Sequence, residues 1–219
     1  MEDCLKTIYI LETDGEGELV RPSAIAEVLE VTPSTVTNML ETLAERGLVT
    51  RKKYHGVRLT AEGKEIALEV LRHHRLLESF MTEHLDYPWD EVHEEADRLE
   101  HHISENLEDR IASVLQDPDV DPHGAPIPTA EHEHLEETIG EPLSRFEPGN
   151  RVRVRRFGDE RSSILEYLHD RDIAPGTALR IEETAPFGMV TVQPETVTEP
   201  VSLPGDVADE IYVSEETAD

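Results

Sequence analysis

The sequence predicts a mainly α-helical chain that ends in a small β domain. Two observations carry this expectation. Apolar residues recur at three-to-four spacing through most of residues 2–116, and from Asn150 the period shortens to two, with Val152 and Val154 alternating with arginine. Between these regions, residues 117–150 are rich in Pro, Gly, Asp, Glu and His, as a connecting segment is. The expected organisation is residues 1–64, residues 65–121, a Pro-rich acidic linker at 122–149, and a β domain at 150–214.

Residues 2–12 read as a helix, with Leu5, Ile8 and Leu11 on one face and Ile10 beside them. Asp14-Gly15-Glu16-Gly17 breaks it. A second helix over 22–30 starts at Pro22-Ser23 and turns Ile25, Val28 and Leu29 inward. Thr32 is then a good N-cap and Pro33 a good first helical residue. The third helix runs to about residue 46, with Val36, Met39, Leu40 and Leu43 inward, and Gly47 stops it. Two short helices joined by a tight turn, the second opening Thr-Pro-Ser, have the grammar of a helix-turn-helix. Residues 48–51 and 57–60 read as strands, and 52–56 as the tip between them, which adds a wing. Arg51, Lys52, Lys53 and Arg58 make this hairpin a dense cationic cluster. Phosphate contacts need such a cluster, so the wing predicts double-stranded DNA as a partner.

Thr60 caps a long helix through residue 83, with Ile66, Val70, Leu71, Leu77, Phe80 and Met81 apolar. Tyr87-Pro88-Trp89-Asp90 is a turn. One further helix is expected over 91–116. Its stripe of Val92, Ala96, Leu99, Ile103, Leu107 and Ile111 suits a core or a dimer seam. A short helix is expected near 132–138. In the β domain, 163–169 reads as a helix and 174–177 as a turn. Residues 179–181, 190–192, 201–203 and 211–213 read as short strands of a small barrel.

The formal net charge is -29, which taken alone argues against nucleic acid as a partner. Distribution matters more than the sum. Lysine occurs only at Lys6, Lys52, Lys53 and Lys64, so arginine supplies the other basic residues. A Lys-poor, acid-rich surface suits a halophilic cytoplasm, where screening lengths fall to roughly 3 Å and self-repulsion costs little. A disordered acidic chain is the alternative, and the sustained apolar periodicity opposes it. Cys4 is the single cysteine, so no internal disulfide forms and a reducing compartment is expected. No apolar run reaches the roughly 20 residues of a membrane span, and no signal pattern opens the chain. The expectation is a soluble, cytoplasmic protein that needs no membrane.

His93, Asp97, Glu100 and His101 are spaced i, i+4, i+7 and i+8, which on one continuous helix is a single face. His74 and Glu78 are one turn apart on the preceding helix, and Asp3 opens the first. Imidazoles with carboxylates and no sulfur suit Mn(II), Fe(II) or a similar divalent ion. The same pattern is also what a solvated acidic face looks like, and Asp3 also suits a helix cap. His132 and His134 read as solvated, His55 as facing DNA or solvent, and Cys4 as packed. His93-Glu94-Glu95-Ala96-Asp97 stands one residue away from a zinc-peptidase helix, but no third ligand region follows it, and no enzyme is expected.

Several of these segments together resemble one family, the iron- and manganese-dependent repressors typified by the diphtheria toxin repressor and the manganese transport regulator. They are Asp3-Cys4-Leu5-Lys6-Thr7-Ile8-Tyr9, Thr32-Pro33-Ser34-Thr35-Val36-Thr37, Arg72-His73-His74-Arg75-Leu76-Leu77-Glu78, Glu100-His101-His102 and Pro122-His123-Gly124-Ala125-Pro126-Ile127-Pro128. The resemblance spans nearly the whole chain. It implies a winged helix-turn-helix, a helical dimerisation and metal-binding domain, and an SH3-like C-terminal domain in a homodimer. It implies that Asp3, Asp97, Glu100 and His101 hold a regulatory metal, and that His74, Glu78 and His93 form an ancillary site. Thr32, Ser34, Thr35, Thr37 and Asn38 would face DNA.

Iron-type members carry sulfur ligands where this chain has Asp3 and Asp97, which points to Mn(II), with Fe(II) as the alternative. Lys6 stands where manganese-type members place a Glu ligand. Ligands expected from the SH3-like domain do not map: Arg161 and Ile164 take their places, with Asp159 and Glu160 nearby. Two function classes therefore stand. One is a metal-gated repressor of metal-uptake genes, and the other is a winged-helix regulator whose dimer face binds no metal.

Overall fold

The computed structural model describes residues 1–15, 18–52, 55–131, 140–158 and 162–216, and only the backbone of Asp14, Ser162 and Phe187. Lys53 of the expected wing, the helix expected near 132–138, and Asp159, Glu160 and Arg161 lie outside the described residues. The chain forms two compact units. One comprises residues 1–74, 99–105 and 128–135, and the other 75–98, 106–127 and 136–219.

The first unit contains α1 (Glu2–Asp14), α2 (Pro22–Val28), α3 (Pro33–Glu45), β1 (Val49–Lys52), β2 (Gly56–Leu59) and the start of α4 (Ala61–His84). Its core takes up the apolar faces that periodicity marks, with Leu5, Ile8, Ile25, Val36, Leu40, Leu43, Val57 and Leu71 buried and Leu11, Met39 and Ile66 packed beside them, and adds Leu68, which the expected face of α4 does not include. Each fully buried Leu or Ile contributes about 1.5–3 kcal/mol. Val28, expected inward, is instead 57% exposed, because α2 ends there and turns away. Thr32 caps α3 as expected, accepting from Thr35 N at 3.2 Å, and Pro33 fills the first turn. Thr60 accepts from Gly63 N at 3.1 Å at the start of α4. The wing is antiparallel, with Val49 opposite Leu59 and Lys52 opposite Gly56. Val20 bridges to Val57 along its inner edge. Glu12 of α1 accepts from Leu59 N at 2.8 Å, and burial raises its pKa above the usual carboxylate value.

The single helix expected over 91–116 is two helices, α5 (Val92–Leu99) and α6 (Glu105–Val114). His102 N bonds Leu99 O at 2.9 Å, a tight turn, and the chain re-enters helix after Ser104. His, Ile and Ser are weak helix formers, and the side chains of Glu100 and His101 find partners off the helix axis, described below. Val92, Ala96 and Ile111 of the expected stripe are buried, whereas Leu99 and Leu107 are exposed.

The β domain is a six-stranded antiparallel sheet in the order β3-β8-β4-β5-β6-β7. The strands are β3 (Glu141–Pro142), β4 (Arg151–Phe157), β5 (Ala178–Thr184), β6 (Val190–Pro194), β7 (Val201–Leu203) and β8 (Ile211–Glu215). Register shifts at Val154/Arg156 and Ile181/Glu183 are irregularities of the kind that bend a sheet. α7 (Ser162–His169) and α8 (Gly205–Asp209) complete the domain, and its core includes Leu143, Val152, Phe157, Leu165, Val192 and Val213. β3 and α8 carry too few apolar residues to be marked by periodicity. No helix among the described residues is long and apolar enough to cross a membrane.

The segment expected to be linker from residue 122 is, at its start, packed structure. His123 to Pro128 are all buried. Asp121 organises the turn: its Oδ1 accepts from His123 N at 2.8 Å and from Ala125 N at 2.9 Å. Gly124 has φ +85, and a Cβ there would lie 1.9 Å from Arg155 O, so only glycine fits. Phe157 N bonds His123 O at 3.1 Å, and His123 Nε2 lies 2.7 Å from Trp89 O. Trp89 stacks on Phe157 and on His169, and His169 Nδ1 pairs with Asp90 Oδ1 at 2.5 Å. Composition suggests a linker here; buried polar groups with partners make it a wall.

Two outcomes follow. Asp121→Ala leaves two buried N–H groups and Arg75 short of an acceptor. It should cost about 3–5 kcal/mol in urea unfolding with chelator present; a loss under 1 kcal/mol would contradict the role given to Asp121. Cys4 is wholly buried, and burial pushes its thiol up to about 11. Native protein at pH 8 should therefore react with a thiol reagent at least about 100-fold more slowly than unfolded protein, in a timed colorimetric assay.

Candidate functional site

The candidate metal centre of the first unit is built on the first turn of α1 and on the turn after α5. Asp3 follows from the helix start, and Glu100 and His101 follow from the break at Leu99. His101 Nε2 lies 2.5 Å from Asp3 Oδ1 and 3.4 Å from Glu100 Oε1. One ligand atom from each of Asp3, Glu100 and His101 falls within 4.8 Å of the others. His101 Nδ1 also meets Glu2 Oε2 at 2.8 Å, a contact that sequence reasoning missed. Glu2 and Asp3 are both half-exposed, so only Glu100, with a side chain 1% exposed, marks the site as more than a solvated acidic face.

A buried carboxylate demands compensation. Glu100 has it from two sides. Lys6 Nζ donates to both of its oxygens at 2.8 and 2.7 Å, and His74 Nδ1 lies 2.6 Å from Oε2. His73 Nδ1 meets the Glu100 backbone oxygen at 3.1 Å. His74, grouped by resemblance with Glu78 and His93, thus engages Glu100 in this unit. The donor set is carboxylate and imidazole. Cys4, next to Asp3, belongs to the apolar core and offers no sulfur. These donors fit a borderline-to-hard divalent ion.

In the second unit, a candidate centre is built on the buried carboxylate of Glu78 on α4, with a side chain 0% exposed. His93 Nδ1 lies 3.1 Å from its Oε1, and His123 Nδ1 lies 3.5 Å from its Oε2. Asp121, Glu78 and His123 bring one ligand atom each within 4.8 Å of one another, all three buried. His93 Nε2 is also 3.7 Å from Asp97 Oδ2. Asp121 and His123 are the residues that sequence reasoning missed. The signal for His123 was in the Pro122–Pro128 motif, which composition disguised as linker, and Asp121 stands just before it. Glu94, the would-be general base of the zinc-peptidase reading, is exposed and pairs with Arg98 at 3.3 Å.

The candidate nucleic-acid face is also in the first unit. Thr32 at the cap and Ser34, Thr35, Thr37 and Asn38 on α3 are all exposed, while Val36 and Leu40 of the same helix are buried. Thr32 Oγ1 holds Ser34 Oγ and Thr35 Oγ1 at 2.8 Å each, so the first turn presents a set of linked hydroxyls. Arg51, Lys52 and Arg58 are exposed on the wing. Arg51 sits 3.6 Å from Glu41 of α3, which ties wing and helix together weakly. Ile164, in a place where the resemblance implies a ligand, packs against the core of the β domain instead.

Comparisons with known proteins bear on the whole chain. Residues 1–57 match the family model for the N-terminal DNA-binding domain of iron-dependent repressors. Residues 60–129 match that for their metal-binding and dimerisation domain, and 141–215 match the FeoA domain. The iron-dependent repressor IdeR of Mycobacterium tuberculosis is 32% identical over 224 residues, covering 95% of this chain and 94% of the relative. The diphtheria toxin repressor of Corynebacterium diphtheriae is 37% identical over 124 residues, 57% of this chain and 54% of that protein. Among solved structures, a manganese-dependent transcriptional repressor in complex with manganese superposes with a TM-score of 0.85 at 33% identity, covering 98% of this chain and 99% of that one. The manganese regulator SloR gives 0.82 at 32%, covering 98% of both chains. With three consecutive domains matched in order and one relative aligned nearly end to end, this chain belongs to the iron-dependent repressor family.

Proposed function

We propose that the chain is a metal-dependent DNA-binding transcriptional repressor that acts as a homodimer on double-stranded operator DNA and controls metal-uptake genes in the cytoplasm. The observation that carries this reading is the meeting of Asp3, Glu100 and His101 around a buried carboxylate, in the same unit as an exposed hydroxyl-rich recognition helix and a cationic wing. Asp3, Asp97, Glu100 and His101 would hold the regulatory ion, and His74, Glu78 and His93, with Asp121 and His123 beside Glu78, an ancillary one. Mn(II) is the proposed ion, with Fe(II) the alternative, because no thiolate or thioether stands among the donors.

The bound ion would supply positive charge to carboxylates that otherwise repel one another. Asp3 is fixed to α1, and α1 packs its Leu5 and Ile8 into the core that also buries Ile25, Val36 and Leu40. Holding Asp3 against Glu100 and His101 therefore restricts the whole helix-turn-helix. In a dimer, half-sites recur about every 34 Å along B-DNA, so restricting each reading head raises the fraction of protein competent to bind. The recognition face is Ser, Thr and Asn rather than Arg, which favours DNA shape and deformability over bidentate base contacts.

Fluorescence anisotropy on DNA from the protein's own promoter, in molar KCl, should show binding with Mn(II) and little with chelator. His101→Ala should lose that metal dependence while remaining a dimer by light scattering. Metal-indifferent binding by the unmodified protein would leave a winged-helix regulator that is not gated by metal. Changing Lys52 and Lys53 together to glutamate should weaken binding to all DNA sequences alike and lower the salt slope by about 2 per protomer. A loss confined to operator DNA would instead make the wing a base reader.

A further inference from the structure

One residue at the metal centre is itself a cation. Lys6 lies on α1, one turn after Asp3, and its ammonium engages both oxygens of Glu100, at 2.8 and 2.7 Å. The same nitrogen lies 3.5 Å from His74 Nδ1. The Lys6 side chain is 12% exposed and that of Glu100 1%, so water screens this pair little. Asp3 and His101 approach the same carboxylate, His101 Nε2 reaching Glu100 Oε1 at 3.4 Å.

We propose that Lys6 is a built-in competitor for the regulatory ion and sets how much metal the protein needs before it responds. The inference rests on Asp3, Glu100 and His101 being that ion's ligands. In the metal-free protein Lys6 compensates a buried charge, and removing it leaves Glu100 with less compensation. Toward a divalent ion the same ammonium is unfavourable twice: it occupies the Glu100 lone pairs and it repels a second cation a few ångströms away. Lys6 therefore stabilises the metal-free fold and weakens metal binding. A plain structural ion pair would do only the first.

The two effects have separate readouts in the full-length protein. Mn(II) affinity is measured by competition with a fluorescent chelator, and the metal-free fold by thermal melting in EDTA, for wild type, Lys6→Met, Lys6→Gln and Lys6→Arg. Lys6→Met should bind Mn(II) about tenfold more tightly or better while melting lower in EDTA, and Lys6→Gln should move the same way. Lys6→Arg, which keeps the charge, should stay within about threefold of wild type. If Lys6→Met does not fold, by circular dichroism, Lys6→Gln and Lys6→Arg carry the comparison. Unchanged or weaker Mn(II) binding in the folded neutral variants would overturn the competitor role and leave the metal reading standing. A wild type that binds no divalent ion would overturn both.

Discussion

A full negative charge at 1% exposure governs the first unit. Glu100 cannot be left unpaired at that depth, and two partners come from distant parts of the chain, Lys6 from α1 and His74 from α4, with His101 beside it. Satisfying it draws the turn after α5 against α1. The interruption between α5 and α6 is then intelligible. A continuous helix would carry Glu100 and His101 onward along its own axis, and the buried carboxylate would lose the groups that make its burial tolerable. The ion-pair network outweighs about one turn of helical hydrogen bonds, made from residues that favour helix weakly in any case.

The same logic explains why α4 carries charge where a central helix is expected to be apolar. From Val70 to Ser79 every residue is buried, including Arg72, His73, His74, Arg75 and Glu78. Each arginine reaches a proline carbonyl: Arg72 donates to Pro128 O at 2.7 Å, and Arg75 donates to Pro126 O and lies 3.4 Å from Asp121. Both carbonyls are acceptors that a guanidinium satisfies. The Arg72–Glu78 and Pro122–Pro128 motifs are thus two halves of one set of contacts.

Much of this was legible in the sequence. The first-unit core, the caps at Thr32 and Thr60, the wing and the strands of the β domain all follow from periodicity and turn chemistry, because local preference and tertiary packing agree there. The exposed face of α3 was legible for the same reason: Val36 and Leu40 fix which side of the helix is buried, and the hydroxyl residues fall on the other. What was not legible depends on partners far away in sequence. The break at residues 100–104 needs Lys6 and His74, and the burial of residues 123–128 needs Arg72 and Arg75. Asp121 and His123 join Glu78 through those contacts, and no spacing rule links them. Resemblance supplied Asp3 as a candidate ligand, where spacing alone reads a helix cap.

Trp89 is the only tryptophan in the chain, and it stacks on the His169 imidazole at 5.4 Å and the Phe157 ring at 5.7 Å. An indole pressed against an imidazole loses part of its emission to it. The turn before α5 therefore carries an intrinsic optical probe that reports whether α7 and β4 are seated on it. Any event that lifts the β domain away from Trp89 changes the brightness of an unlabelled solution, with no second tryptophan to blur the signal.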